Sequence, residues 1–303
     1  MTRFAAKFGR WLVAGAVGIG ATLGAPAVQA QDAAALHARH EALREALAKN
    51  DFGRPLVLES TQTSGDLKGD VYALVDKPYA LVGPALQRVD HWCDILILHL
   101  NVKHCTVSGA EGADKVLHLR VGRKFDQPLA DTYLVSFAYK VQASTPDYLR
   151  VQLDAGEGPM GTKNYRIVLE ATPLDAKSSF IHMSYSYAYG VAARLAMQGY
   201  LGTVGRDKIG FSVVGRKANG EPEYVDNVRG VVERNTMRYY LAIDSFLGAL
   251  SLPPEAQLEK RLNDWYAGNE RYARQLHEVD RDEYMAMKHK EVRRQQTPSV
   301  KAD

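Results

Sequence analysis

The chain has 303 residues, 46% of them hydrophobic, with 38 Lys+Arg against 35 Asp+Glu and a formal net charge of +3. That size and apolar share allow one large folded domain with additional elements. The near-balanced charge gives no ground for a nucleic-acid partner or a polybasic lipid-binding surface.

The small cationic excess sits at the start. Arg3, Lys7 and Arg10 precede any acid, and removing these three cations leaves 35 against 35. Trp11 to Ala25 is small and apolar, and Ala25-Pro26-Ala27-Val28-Gln29-Ala30 places small residues at the third and first positions before Gln31. A positive start, an apolar middle and a small-residue end make a secretory signal over 1–30, cleaved after Ala30. The alternative is an N-terminal membrane anchor, for which the apolar run is short and thinned by glycine. The expected location of the mature protein is the periplasm.

Residues 31–55 read as a helix and linker, with Leu36, Leu43 and Leu47 at helical spacing and Asn50-Asp51-Phe52-Gly53-Arg54-Pro55 ending it. Strands follow at 56–63 and 70–75 around the turn Ser64-Gly65-Asp66. Helices are predicted at 79–86 and 89–100. Six strands come next, at 102–108, 115–121, 132–143, 147–154, 163–171 and 178–189, separated by turns such as Ser108-Gly109 and Thr145-Pro146-Asp147. So many strands on short turns predict an antiparallel meander. Tyr133, Val135, Phe137, Tyr139 and Val141 share a strand face, as do Tyr165, Ile167 and Leu169, and Ile181, Met183, Tyr185, Tyr187 and Tyr189. One sheet face is therefore expected to be apolar and tyrosine-rich, and the other wet. Beyond Gly190 the pattern predicts a helix at 191–201, a strand at 208–214 and a long helix at 231–250. The charged segment 255–292 reads as one helix with a heptad-like stripe of Leu258, Leu262, Trp265, Tyr272, Leu276 and Val279. Residues 293–303 read as a disordered tail.

Cys93 and Cys105 are the only two cysteines. In an exported chain their simplest reading is a disulfide, closing a ring of about a dozen residues that contributes roughly 3 kcal/mol. Two free thiols or a metal site with His91, His99 and His104 are the alternatives, though the spacing fits no standard zinc pattern.

Gly69-Asp70-Val71-Tyr72-Ala73-Leu74-Val75, then Lys77-Pro78 opening two helices with Trp92 in the second, then the six-strand meander and a long helix, follow a known order. Residues 56–250 resemble the START-like (SRPBCC) superfamily of lipid-transfer domains, polyketide cyclases and related helix-grip proteins. The resemblance implies an α+β helix-grip fold, in which a curved antiparallel sheet wraps a long C-terminal helix around a ligand cavity. Residues 191–228 are an insertion relative to that plan, and the N-terminal helix and 251–292 are additions to it.

Candidate ligand-binding residues are Tyr133, Phe137, Tyr139, Tyr165, Tyr185, Tyr187 and Tyr189 on the sheet. Their rings would meet carbon and their hydroxyls a polar head. On the long helix they are Tyr239, Ile243, Arg234 and Arg238, the arginines one turn apart and able to hold a carboxylate or phosphate. The bland reading is a packed core with arginines paired to nearby acids. The run 199–206 reads as a helix end rather than a phosphate loop, and 156–161 as a hairpin connection or rim loop. No catalytic residue is assigned, since no nucleophile stands with a base; His91 and His182 are the nearest to one. Neither a cofactor nor a metal is expected. The leading expectation is periplasmic carriage or sequestration of a lipid-like small molecule, with binding favoured over catalysis. The rivals are a cyclase- or hydrolase-type enzyme on the same scaffold, and an adaptor that binds a protein partner through 255–292. Transient membrane contact is allowed, nucleic-acid binding is not.

Overall fold

The computed structural model describes residues 25–110, 114–190, 199 and 208–296. Most of the segment expected to be a signal, the helix expected at 191–201 apart from Gly199, the glycine run beyond it and the last seven residues lie outside the described residues. The described elements are α1 (Ala25–Ala48), β1 (Leu56–Gln62), β2 (Asp66–Val75), α2 (Tyr79–Gln87), α3 (Val89–Leu96), β3 (Val102–Ser108), β4 (Lys115–Val121), β5 (Tyr133–Ser144), β6 (Leu149–Glu157), β7 (Thr162–Pro173), β8 (Ser179–Tyr189), β9 (Val213–Arg216), β10 (Pro222–Tyr224), α4 (Asn227–Ala249), α5 (Pro254–Glu270), α6 (Ala273–Leu276) and α7 (Arg281–Gln296).

Eight strands form one sheet in the order β1-β2-β8-β7-β6-β5-β4-β3, each pair antiparallel. The helices α2 and α3 carry the chain from β2 to the far edge at β3, and the meander then returns to pair β8 with β2. Alternation makes the inner face: Val135, Phe137, Leu153, Ile167, Leu169, Met183 and Tyr185 are all buried there. The long helix α4 lies across that face, burying Val232, Tyr240, Ile243 and Phe246. Strand β2 can approach α4 closely because residue 69 has no side chain; a Cβ there would stand 2.2 Å from Thr236 Oγ1. This is the α+β helix-grip architecture. Cys93 and Cys105 are bonded, with Cα atoms 5.3 Å apart, and tie α3 to β3.

Four sequence readings change. The outer sheet face is not simply wet, because α1 packs there through Ala33, Leu36, Leu43 and Leu47 against Tyr148 and Phe180. Val141 stays in register with the buried Val151 but is itself exposed, and a bulge just beyond it reverses the side-chain alternation, so Ala143 joins the α1 cluster. The short strand lies at β9 rather than 208–214 and pairs with β10 around Gly220, whose φ of 86° suits glycine.

The fourth change is the largest. The segment read as one helix over 255–292 is three, α5 to α7, and the last runs through 293–296, expected to be tail. Leu262, Trp265, Tyr272 and Leu276 are buried. The chain turns back after α6, so that Tyr284 stacks on Trp265 at 4.9 Å. A stripe that would need a partner on a straight helix is satisfied within the fold. Helix α7 then covers the β3 edge, where the Cys105 amide donates to Gln295 Oε1 at 2.9 Å.

Candidate binding cleft

Sheet and helix do not close on one another everywhere. A cleft of about 700 Å³ opens between β4, β5, β7, β8 and α4. Its inner wall is Leu119, Val135, Phe137, Tyr165, Tyr185 and Tyr239, and its rim is formed by the 122–133 loop with Pro159 and Met160. The rim is open and mixed in character: Tyr133 is 54% exposed and Met160 55%, beside Arg123, Gln127 and Asp131. Gly158 lets the second rim loop fold against the wall, since a Cβ there would meet the Tyr165 ring at 2.2 Å.

The wall is a continuous aromatic array. Phe137 meets Tyr165 edge-on at 6.4 Å, Tyr165 stacks on Tyr187 at 5.2 Å, and Tyr185 lies 5.1 Å from Tyr239. His99 stacks on Tyr239 at 4.6 Å. Burial pushes the Tyr165, Tyr185 and Tyr239 phenols upward, so all three stay protonated near neutrality. The Tyr165 hydroxyl is shared with Thr162 at 2.7 Å, whereas those of Tyr185 and Tyr239 have no hydrogen-bond partner among the described residues.

Of the sequence-predicted ligand residues, Tyr133, Phe137, Tyr165, Tyr185 and Tyr239 line the cleft. Tyr187 supports it from behind Tyr165. The others stand elsewhere. Tyr139 turns toward α2 and donates to the Gln87 carbonyl at 2.5 Å. Tyr189 lies at the end of β8 and donates to the Thr63 carbonyl at 3.2 Å. Ile243 is core. Arg234 donates to the Ile209 carbonyl at 3.0 Å. Arg238, 1% exposed, donates to the Leu276 carbonyl and to Glu278 Oε1 at 3.1 and 2.8 Å. The arginines therefore fasten α4 to its covering segments rather than crown the cleft. Burial would raise the Glu278 carboxyl, but Arg238 and Lys124 outweigh it and hold the group at about 2.

The sequence reading missed the polar residues of the cleft: His99, Asn101 and Asn235 by the wall, and Arg123, Gln127 and Asp131 in the rim loop. His99 stood in a histidine-rich stretch beside the cysteines. With Cys93 and Cys105 bonded to each other, that stretch offers no thiolate to a metal. His91 lies against the Ala85 carbonyl through Nδ1 at 2.7 Å. His182 is clamped on the outer face between Glu170 Oε2 at 2.6 Å and Asp70 Oδ1 at 2.8 Å.

The class these features define is an α+β helix-grip fold with an open aromatic cleft. No family model matches the sequence, and no curated protein matches it. Solved structures with a similar fold include norcoclaurine synthase from Thalictrum flavum, at 14% identity and a TM-score of 0.34 over 48% of this chain and 91% of that one. A conserved protein from Geobacillus kaustophilus is similar at 12% identity and TM-score 0.34, covering 60% and 95%. Human StAR-related lipid transfer protein 5 is similar at 9% identity and TM-score 0.32, covering 58% and 90%. Resemblance this distant concerns the fold and transfers no activity.

Proposed function

We propose that the protein binds a lipid-like amphiphile in the cleft between sheet and α4, and carries or sequesters it outside the cytoplasm. The observation that carries this reading is the 700 Å³ cleft itself, a ligand-sized space walled by aromatic and aliphatic side chains with a few polar groups set among them. Burying an acyl chain there would release about 25 cal/mol per Å² of apolar surface. Export is supported by the charge and apolar pattern of 1–30 and by the Cys93–Cys105 bond, which suits an oxidising compartment. Cleavage after Ala30 would keep Ala33, Leu36, Leu43 and Leu47, the α1 residues described as packing on the outer face.

The enzyme reading finds its base candidate in His99, the perturbed histidine of the cleft. The lone pair of its Nδ1 accepts the Asn101 amide at 3.1 Å, however, which leaves no basic nitrogen facing a substrate. The adaptor reading loses its free stripe, because Leu262, Trp265 and Leu276 are internal. The deciding experiment is displacement of a fluorescent fatty acid, with Val135→Trp filling the cleft. Binding in the micromolar range or tighter that Val135→Trp weakens at least tenfold, with thermal stability kept, is the expected result. No binding by the folded wild-type protein would end the carrier reading.

A further inference from the structure

His99 sits in the turn after α3, 2% exposed, in the wall of the cleft. Its ring chemistry is set by its neighbours. The Asn101 backbone N–H can only donate, so Nδ1 accepts it and the proton of the neutral ring resides on Nε2. Burial and then the nearby Arg238, Lys288, Lys124 and Lys103 keep the ring well below its ordinary pKa, hence neutral at pH 7. The backbone at His99 is held too, because Lys288 Nζ donates to its carbonyl at 2.8 Å. Among the described residues the buried Nε2–H meets no acceptor. Leaving such a donor unmet costs about 1–3 kcal/mol. Tyr239 covers one ring face, Trp265 lies 6.5 Å away and Nδ1 is taken, while His99 lines the cleft, which offers an acceptor its way in.

From this geometry, and resting on the reading of the cleft as a lipid site, we infer that the cleft recognises a carboxylate-headed amphiphile, with the carboxylate accepting the His99 Nε2–H and the hydroxyls of Tyr185 and Tyr239. The head enters first, and the apolar tail lies along Phe137 and Val135 toward the exposed rim at Tyr133 and Met160. Charge favours the same assignment. The acids paired with the four cations are Glu278 and Glu291, and Lys208 also reaches Glu278 at 3.3 Å. The charges that most affect the His99 ring are all positive, which favours an anionic head and opposes an ammonium. His99 acts here as a neutral donor, as a backbone amide would, and transfers no proton.

Hexadecanoic acid, its methyl ester and hexadecylamine, each displacing an uncharged fluorescent probe from the full exported protein at pH 7.5, test the inference. The acid is expected to bind about tenfold or more tightly than either analogue, the range for a hydrogen bond to a charged acceptor. His99→Phe keeps the stacked ring but not the donor, and should bring the acid-to-ester ratio close to one. His99→Gln, which restores an N–H, should recover part of the preference. Nitrogen-15 spectra of the wild type give a second readout: the Nε2–H tautomer at neutral pH, its signal moving with the acid and not with the ester. Equal affinity for acid and ester, or an undiminished ratio in folded His99→Phe, overturns the inference while leaving the cleft as a lipid site. Failure of all three compounds to displace the probe removes both.

Discussion

Two histidines on opposite sides of one sheet, His182 half-buried and His99 buried, show what distinguishes a structural network from an open site. On the outer face, His182 has both ring nitrogens engaged, by Glu170 and Asp70, and stacks on Tyr72 at 4.4 Å. Burial would lower its pKa, but the two carboxylates outweigh burial and raise it. Tyr148 and Arg150 also bond Glu170, at 2.5 and 2.7 Å, and Lys68 pairs with Asp70 at 3.0 Å. On the inner face, His99 has one nitrogen engaged, cationic neighbours, and a pKa moved down. Satisfied polar groups rigidify a fold, whereas an unsatisfied one beside a cleft is a place for a ligand.

The largest expected difference follows from breaking the outer network. Glu170→Ala takes one partner at once from His182, Arg150 and the Tyr148 hydroxyl and should cost about 3 kcal/mol in urea unfolding. A loss under about 1 kcal/mol would mean that solvent replaces the network and that the contrast with His99 is overstated.

Tyrosine hydroxyls on the two faces should separate next. Tyr148→Phe removes a hydrogen bond to a carboxylate and should cost about 2 kcal/mol. Tyr185→Phe removes a hydroxyl with no described partner and should cost under about 0.5 kcal/mol, while weakening lipid binding in a titration. Comparable stability losses in both would place Tyr185 in the core and not at a site.

The pH dependence of stability should have opposite signs at the two histidines. The folded pKa of His182 is raised, so its contribution is fully present below about 6.5, the unfolded value, and is lost as pH rises through the folded one. Glu170, lowered to about 2 from 4.5, contributes above about 4.5 and loses that contribution as pH falls toward 2. For His99 the unfolded chain takes up a proton below about 6.5 that the folded one refuses, so stability falls with acid by up to about 1.4 kcal/mol per pH unit. His99→Phe should therefore flatten the slope between pH 6.5 and 5, and His182→Phe the slope above 6.5. Unfolding curves across that range in which both substitutions flatten the same limb would refute the assignment.

A small effect is also expected at His99 itself near neutral pH. His99→Phe gives up the acceptor for the Asn101 amide but also removes an unmet buried donor, so stability at pH 7.5 should change by less than about 1 kcal/mol. A loss of several kcal/mol by calorimetry would make His99 a structural residue like His182.

Much of this contrast lies beyond periodicity. The inner face was legible because Tyr165, Ile167 and Leu169, and Met183, Tyr185 and Tyr187, alternate with polar residues over whole strands. The end of β5 was not, because one bulge reverses the parity at Ala143. Helical spacing put Arg234 and Arg238 on one face of α4, but Arg238 is taken by Glu278, a residue 40 positions away. Nothing local announces that pairing. His182 and His99 look alike in sequence, and the acids that clamp His182 come from β2 and β7.

By itself, then, the sequence determined the order of elements from β1 to β8 with a long helix after them, the apolar sheet face and the cysteine pair. Each of these depends on residues near one another in the chain, through period, turn chemistry and composition. Which tyrosines meet the cleft, where the arginines turn, how the 255–292 stripe folds back and which histidine keeps an open donor were decided by tertiary structure. Those outcomes depend on bulges and on partners distant along the chain, whose meeting only the packed fold brings about.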